Sequence, residues 1–230
     1  MKKILVVCSL VLVCFSFVGC GGKKEQALKT LNNNIIETRN NIYVGADDNF
    51  YATFTSGERE NPYSLDGVIN EMVAFGIVTF SKNDNSRLSN DEYTFTITIN
   101  GEEKTGTLEK SPFDNTYSAD IGINVDDNAE ISLKLNAENK EFNQTLFNES
   151  KNFAITKQKA IEIASETLTE QINALNKETE KQSEVLIKIL KDYSGDNNRY
   201  FWYVAIISPD GETAGVLIDS NTGEVVSKKV

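Results

Sequence analysis

A strictly alternating segment near the middle of the chain is the feature that most constrains its fold. From Tyr93 to Ile99, aromatic or isoleucine side chains alternate with threonines, which is the period-two pattern of a strand with one buried face. Asn100-Gly101 follows at once, and both residues readily adopt the positive φ that a type I′ turn requires. The sequence therefore predicts an antiparallel hairpin at this point.

Further short β segments surround this hairpin at similar spacing. Residues 117–125 alternate in the same way, and Asp126-Asp127-Asn128 then turns the chain into another apolar run. Seven short strands separated by turns favour an immunoglobulin-like β-sandwich, although the cysteine pair of antibody domains is absent. The strands are expected at residues 49–55, 72–80, 93–99, 103–109, 117–125, 131–135 and 142–147.

The pattern changes after residue 150. Thr156 is expected to cap a helix of about 20 residues, because apolar residues from Ala160 to Leu175 recur at three- and four-residue steps. This pattern predicts an α+β domain in which one helix packs on a small antiparallel sheet. The strands of that sheet are expected at 185–190, 200–207, 213–219 and 225–230.

The distribution of charge changes at the same place. Residues 20–150 carry 11 basic and 22 acidic side chains, whereas residues 151–230 carry 10 and 12. Pattern and charge together predict two independently folding domains, the β-sandwich at 49–150 and the α+β domain at 151–230. Residues 20–48 are polar with scattered aliphatic side chains and are expected to form a tether.

The first 19 residues have the organisation of a signal peptide. A basic start precedes an apolar run of about 15 residues, which is shorter than the ~20 that a membrane-spanning helix needs. Residues 17–20, Phe-Val-Gly-Cys, resemble the bacterial lipobox, in which the cysteine is acylated and the chain is cleaved before it. The resemblance implies that Cys20 carries lipid, such as palmitate, and anchors the protein to the cell membrane outside the cytoplasm. A plain secretory signal or an uncleaved anchor is the alternative.

Three short pieces of the C-terminal domain occur in a fixed order. They are Ile155-Thr156-x-x-x-Ala160-Ile161-x-x-Ala164, Tyr200-x-Trp202-x-Val204-x-Ile206 and Val216-x-Ile218-Asp219-x-x-Thr222-Gly223-Glu224-Val225-Val226. Together they resemble a PepSY domain. Such domains occur in propeptides of secreted metallopeptidases and in bacterial lipoproteins, and the resemblance implies protein binding and regulation of peptidases. Asp219 and Gly223 are themselves explained by a turn between two strands.

The residue types present restrict the possible chemistry. The chain has no histidine, which excludes Ser-His and Cys-His nucleophile pairs and the usual zinc sites. Cleavage before Cys20 would leave no free thiol, which excludes cysteine redox chemistry. Asx clusters at 47–49, 126–128 and 196–198 lack the spacing of calcium-binding EF-hands and are interpreted as turns. We therefore expect no catalytic residue, no metal and no cofactor.

The segment 58–63, Glu-Arg-Glu-Asn-Pro-Tyr, stands out within the β region. Its charges, proline and tyrosine are compatible with a recognition tip. Alternatively, Arg59 pairs internally with a carboxylate and fixes the loop, and this is the preferred interpretation.

Both faces of the expected strand at 200–207 are apolar, although a single helix can cover only one of them. If the helix covers Trp202, Val216 and Ile218, a second apolar patch lies on the opposite face, where monomeric proteins seldom leave such patches exposed. The β domain, a second copy of the chain or a protein partner would cover it. This second-face patch consists of Leu186, Leu190, Phe201, Tyr203 and Leu217.

These features favour a non-enzymatic surface lipoprotein that acts as a protein-binding module, with a peptidase of the cell envelope as candidate partner. A ligand-binding lipoprotein serving a transporter or the cell wall is the alternative, and a carboxylate-dependent hydrolase is the third hypothesis. A net charge of −11 opposes binding to nucleic acid or anionic lipid headgroups.

Replacing Cys20 with serine should release the protein from membranes, because this thiol is the acyl acceptor that the lipobox resemblance assigns. Immunoblots of membrane and soluble fractions would compare Cys20→Ser with the unchanged protein. A mass spectrum that shows an unmodified Cys20 in membrane-bound protein would contradict the assignment.

Overall fold

The computed structural model of the protein describes residues 19–84, 86–89, 91–112, 115–176, 181–192 and 199–230. These residues belong to two units. The α+β unit combines the residues up to Ile36 with Ser64–Ile69 and Ile155–Val230, and the barrel unit consists of Glu37–Tyr63 and Asn70–Ala154. The signal-peptide residues 1–18 lie outside the described residues. None of the helices in the described ranges is long and apolar enough to cross a bilayer.

Eight antiparallel strands form the barrel unit. Their order in the sheet is β1-β2-β3-β6-β5-β4-β7-β8, and β8 returns to pair with β1 at Tyr43↔Asn148 and Val44↔Phe147. The sheet therefore closes into an eight-stranded barrel. The strands are β1 (Ile35–Ala46), β2 (Phe50–Asn61), β3 (Glu71–Lys82), β4 (Tyr93–Ile99), β5 (Glu102–Lys110), β6 (Tyr117–Ile121), β7 (Ile131–Ala137) and β8 (Lys140–Asn148).

The inward-facing apolar side chains of the alternating strands fill the interior of the barrel. The apolar residues of β4 are buried, whereas the threonines between them are more exposed. The hairpin predicted after β4 is confirmed, since Asn100 and Gly101 have φ of 50° and 87° and Ile99 pairs with Glu102. Inside the barrel the rings of Phe80 and Phe142 meet edge to face with centroids 5.5 Å apart. Such a pair contributes about 0.5–1.5 kcal/mol beyond its area burial.

The prediction of an immunoglobulin-like β-sandwich is wrong. Each of the seven expected strands overlaps an observed one, but β1 adds an eighth, which pairs with both β2 and β8 and closes the sheet. This strand lies in the segment 20–48, which was expected as a tether. Its residues 37–41 are polar and include a bulge between Arg39 and Asn41, so this strand shows no alternating apolar pattern.

Arg59, on β2, forms an ion pair within the protein, as the preferred interpretation of segment 58–63 expected. Its Nη2 atom lies 2.7 Å from Oδ2 of Asp120, and its guanidinium stacks on the buried ring of Phe75 with a centroid distance of 4.7 Å. The neighbouring Glu60 is also buried and accepts a hydrogen bond from the backbone N–H of Asn70 at 3.0 Å. The charges of this segment therefore serve to fix it.

Among the described residues of the α+β unit, three helices accompany a four-stranded antiparallel sheet of order β9-β10-β11-β12. Helices α2 and α3 pack on one face of the sheet, against β10. The helices are α1 (Gly19–Asn33), α2 (Lys157–Thr167) and α3 (Thr169–Leu175), and the strands are β9 (Glu184–Lys191), β10 (Tyr200–Ile207), β11 (Thr213–Asp219) and β12 (Val225–Lys229).

The single helix predicted after Thr156 is wrong, because two helices meet at Leu168, whose φ and ψ are −113° and 18°. The hydroxyls of Thr167 and Thr169 donate to the carbonyls of Ile163 and Ser165, each at 2.7 Å. Threonines that bond back to the preceding turn commonly bend helices. The predicted cap is confirmed, since the hydroxyl of Thr156 accepts from the N–H of Lys159 at 3.2 Å.

Helix α1 is an integral part of the α+β unit, which was not foreseen. It packs against α2 and α3, and Ala27 and Leu31 are fully buried. Two amides of the later helical segment bond to it: Nδ2 of Asn173 donates to the carbonyl of Lys23 at 3.0 Å, and Nδ2 of Asn176 donates to the hydroxyl of Thr30 at 3.1 Å. The helices thus share one core although their sequences are far apart.

Replacing Leu31 with alanine should destabilise the α+β unit by about 2–5 kcal/mol, because it leaves a cavity beneath α1. Trp202 is the only tryptophan and is buried in this unit, so its fluorescence during urea unfolding reports the loss. Leu28→Ala, at a partly exposed position of the same helix, is the control and should cost under about 1 kcal/mol. Equal, small effects of both substitutions would show that α1 does not contribute to the core.

Candidate functional site

The residues that carry the PepSY resemblance build the core of the α+β unit. The indole N–H of Trp202 donates to the carbonyl of Ile155 at 2.8 Å, and the N–H of Ile155 donates to the carbonyl of Ser220 at 2.9 Å. Gly223 has a φ of 76°, and a Cβ atom there would lie 3.1 Å from Cδ1 of Ile155. The entry to α2 is therefore held between β10 and the turn after β11. These residues therefore have a structural role, and candidate binding residues must be sought at other positions.

Asp219 organises that turn, as the sequence analysis interpreted it. Its Oδ1 atom accepts from the N–H groups of Asn221 and Thr222 at 3.0 Å each, and its Oδ2 atom lies 3.0 Å from Nη2 of Arg199. Burial alone would raise the pKa of this carboxyl. The N–H donors and the guanidinium outweigh burial, so the pKa of Asp219 is lowered below its usual value.

The other face of the sheet carries the second-face patch. Register places Phe201 opposite Leu190 on β9, and Tyr203 opposite Leu217 on β11, all on the face that is turned away from Trp202. Those four side chains are partly exposed. The fifth member, Leu186, is 8% exposed. The five residues share one face, and their role in binding stays a prediction.

Aromatic and cationic groups lie side by side on this face. The ring of Tyr203 lies over Gly215, where a Cβ atom would be 3.2 Å from its Cε2 atom. Burial raises the pKa of the Tyr203 phenol, so this side chain stays neutral at physiological pH. Lys188 is opposite Tyr203 in the register, and the Arg199 guanidinium lies 5.1 Å from the centroid of the Phe201 ring. Sequence reasoning missed Arg199, although it lies two residues before Phe201, a spacing that puts both side chains on one face of a strand.

The loop Ser64–Ile69 packs at the Glu184 end of β9. Oε1 of the buried Glu184 accepts from the N–H groups of Asp66 at 3.1 Å and Gly67 at 2.6 Å. The loop leaves Leu65 55% and Val68 51% exposed. No sequence signal pointed to this contact, because it joins residues more than a hundred positions apart.

Two of the three Asx clusters are turns, as interpreted. Oδ1 of Asp47 accepts from the N–H groups of Asn49 and Phe50 at 2.8 Å each, and Oδ1 of Asp126 accepts from the N–H of Asn128 at 2.8 Å. The third cluster, at 196–198, lies outside the described residues. Within the ranges that the structure covers, no group of three or more His, Cys, Asp or Glu side chains is placed to hold a metal ion.

The α+β unit is thus a small module whose sheet is covered by helices on one face and offers aromatic and aliphatic side chains on the other. Residues 154–229 match the PepSY family, described as "Peptidase propeptide and YPEB domain", so a PepSY domain forms the C-terminal part of the chain. That part of the sequence prediction is confirmed. PepSY domains are associated with peptidase propeptides, inhibition and protein binding, in a regulatory rather than catalytic capacity. Searches of curated proteins and of solved structures found no match.

Replacing Asp219 with asparagine should destabilise the α+β unit by about 1–2 kcal/mol near neutral pH, because charge-assisted hydrogen bonds become neutral ones. A carboxyl whose pKa is lowered by folding stabilises the protein above its unfolded pKa, and this contribution is lost as pH falls through the folded pKa. Urea unfolding followed by Trp202 fluorescence between pH 7 and pH 3 would measure both effects. The variant should therefore lose less stability on acidification than the unchanged protein. Glu212→Gln, at an exposed turn, is the control, and an identical pH dependence of the Asp219→Asn variant would refute the role.

Proposed function

We propose that the protein is a non-enzymatic lipoprotein on the outer side of a bacterial cell membrane, where its PepSY domain binds another protein. A peptidase of the envelope is the expected class of partner. One observation carries the proposal: the sheet face opposite the helices presents partly exposed Leu190, Phe201, Tyr203 and Leu217 together. The match to the PepSY family supports it, because that family is associated with peptidase propeptides and protein binding.

The composition of this face suits a protein partner. Protein interfaces are enriched in aromatic residues and arginine, and a few such side chains supply most of the binding energy. Phe201 and Tyr203 are large and partly exposed, and Arg199 is already held against Phe201 by its ion pair with Asp219. Because these side chains are ordered before binding, they lose little additional conformational entropy when a partner covers them.

The proposed lipid anchor has a structural consequence for this unit. Helix α1 begins at Gly19 and packs on α2 and α3, so Cys20 belongs to its first turn. The side chain of Cys20 lies outside the described residues. Acylation at Cys20 would attach the lipid directly to α1, a helix of the α+β unit, without an intervening flexible tether.

Photo-crosslinking in the cells that produce the protein tests the proposal. A benzophenone amino acid at position 203 should form an adduct with one envelope protein, whereas the same probe at Val226, on the edge strand β12, should not. The captured protein is then purified, and its affinity is measured by calorimetry. The double substitution Phe201→Asp with Leu217→Asp should weaken binding at least about 100-fold, since each change places a charge in an apolar contact.

The integrity of the fold is checked in the same experiment. Trp202 fluorescence and the urea midpoint should be nearly unchanged in the double variant, because both positions lie on the face away from the helices. If that variant unfolds, the milder Phe201→Ala is used, with an expected loss of about tenfold or more. Unchanged affinity in a folded variant would contradict the proposed surface.

A further inference from the structure

A groove on the outer wall of the barrel unit is not used by the function proposed above. It has a volume of about 740 Å³ and lies where β4, β7 and β8 approach the loop 126–130. We infer that this groove binds an extended, uncharged oligosaccharide of β-1,4-linked pyranoses. The inference concerns the barrel unit alone and does not depend on the PepSY surface.

A row of three hydroxyl groups lines the groove. Thr98 on β4 is opposite Ser132 on β7, which is in turn opposite Thr145 on β8. All three side chains point outward, because the residues that alternate with them, such as Ile97 and Leu133, fill the barrel core. Neighbouring strands are about 4.8 Å apart, so the hydroxyls repeat at that interval across the sheet. This interval is close to the advance of one sugar along an extended β-1,4-linked chain.

An aromatic ring lines the groove. Phe147 is 67% exposed, which is unusual for a phenylalanine, and its backbone pairs with Val44 at the barrel seam. A pyranose presents a face of C–H groups that stacks on an aromatic ring and removes its apolar surface from water. A sugar that is stacked on Phe147 would have its neighbours in the chain within reach of the hydroxyl row.

The rim formed by the loop 126–130 carries hydrogen-bonding groups and is held by contacts to its backbone carbonyls. The hydroxyl of Tyr43 donates to the carbonyl of Asp126 at 2.6 Å, and Asn148 Nδ2 donates to the carbonyl of Asp127 at 3.0 Å. Directly before β7, the N–H of Glu130 donates to Oδ1 of Asn100 at 2.9 Å. This rim presents carboxylates and amides, which accept from and donate to sugar hydroxyls. Because the rim is already fixed, binding would cost little ordering entropy.

The same features argue against other ligands. The carboxylates of Asp127 and Glu130 line the groove with one lysine, Lys151, so an anionic ligand such as a nucleic acid or phosphate meets a net negative lining. A peptide strand adds to a sheet at a free strand edge, but β4 and β7 under the hydroxyl row are each paired with a neighbour on both sides and offer no such edge. The groups of the groove that are available to a ligand are side-chain hydroxyls and an aromatic ring, and these groups suit recognition of a sugar.

Titration of the full-length protein with chitotetraose and cellotetraose, followed by calorimetry and by amide NMR spectra, tests the inference. We expect saturable binding of at least one of the two, with shifts concentrated at residues 98, 130–132 and 145–148. Phe147→Ala should weaken this binding tenfold or more, whereas Phe147→Trp should preserve it. Thr98→Val should weaken it severalfold, and Thr94→Val, an outward position of the same strand beyond the groove, should not.

Several outcomes would overturn the inference. They are no saturation by either sugar at millimolar concentration, binding that survives Phe147→Ala in a folded protein, or equal effects of Thr98→Val and Thr94→Val. Binding of an extended peptide library at the same residues in place of the sugars would also overturn it. Because Phe147 is exposed and Thr98→Val keeps the β-branched shape, loss of folding is not expected, and unchanged NMR dispersion verifies this.

Discussion

The pairing of β1 with two partners is the interaction on which the barrel unit depends. This strand pairs with β2 from Glu37 to Ala46 and with β8 at Tyr43 and Val44. Closure removes the exposed strand edges that an open sheet of this length would present. It also requires close approach of backbones: a Cβ atom at Gly45 would lie 2.5 Å from Cδ2 of Leu146, and one at Gly57 would collide with the carbonyl oxygen of Thr38. Glycine at these two positions allows the seam and the bulge to form.

Local patterns predicted most strands but not how they assemble. The hairpin at Asn100-Gly101 was predictable because alternation and turn chemistry both act over a few residues. Strand β1 was not, because it buries polar residues, which produce no alternating apolar pattern, and a distant segment holds one of them. The buried Glu37 has its Oε1 atom 2.6 Å from Nε of Arg39. Nδ2 of Asn41 donates to the carbonyl of Val125 at 2.8 Å. From its sequence alone, a polar strand of this kind cannot be distinguished from an exposed tether, because neither has an alternating apolar pattern.

The same limit applies to the surfaces. Alternation in β10 was enough to predict that Phe201 and Tyr203 share a face, since strand geometry fixes that relation. It did not predict the ion pair of Arg199 with Asp219 or the loop held by Glu184, since both depend on contacts between separate segments. The barrel groove was equally hidden, because Thr98 and Ser132 look like ordinary solvent-facing strand residues until the register aligns them.

The PepSY match therefore constrains the architecture more than the partner. Contacts among Trp202, Ile155 and Gly223 hold the start of α2 against the sheet. The partly exposed side chains of the opposite face lie on the other side of the sheet from α2, so their substitution would leave that packing in place. In the function that we propose, binding specificity would reside in the second-face patch and its cationic neighbours, where a substitution would change an interface without changing the fold.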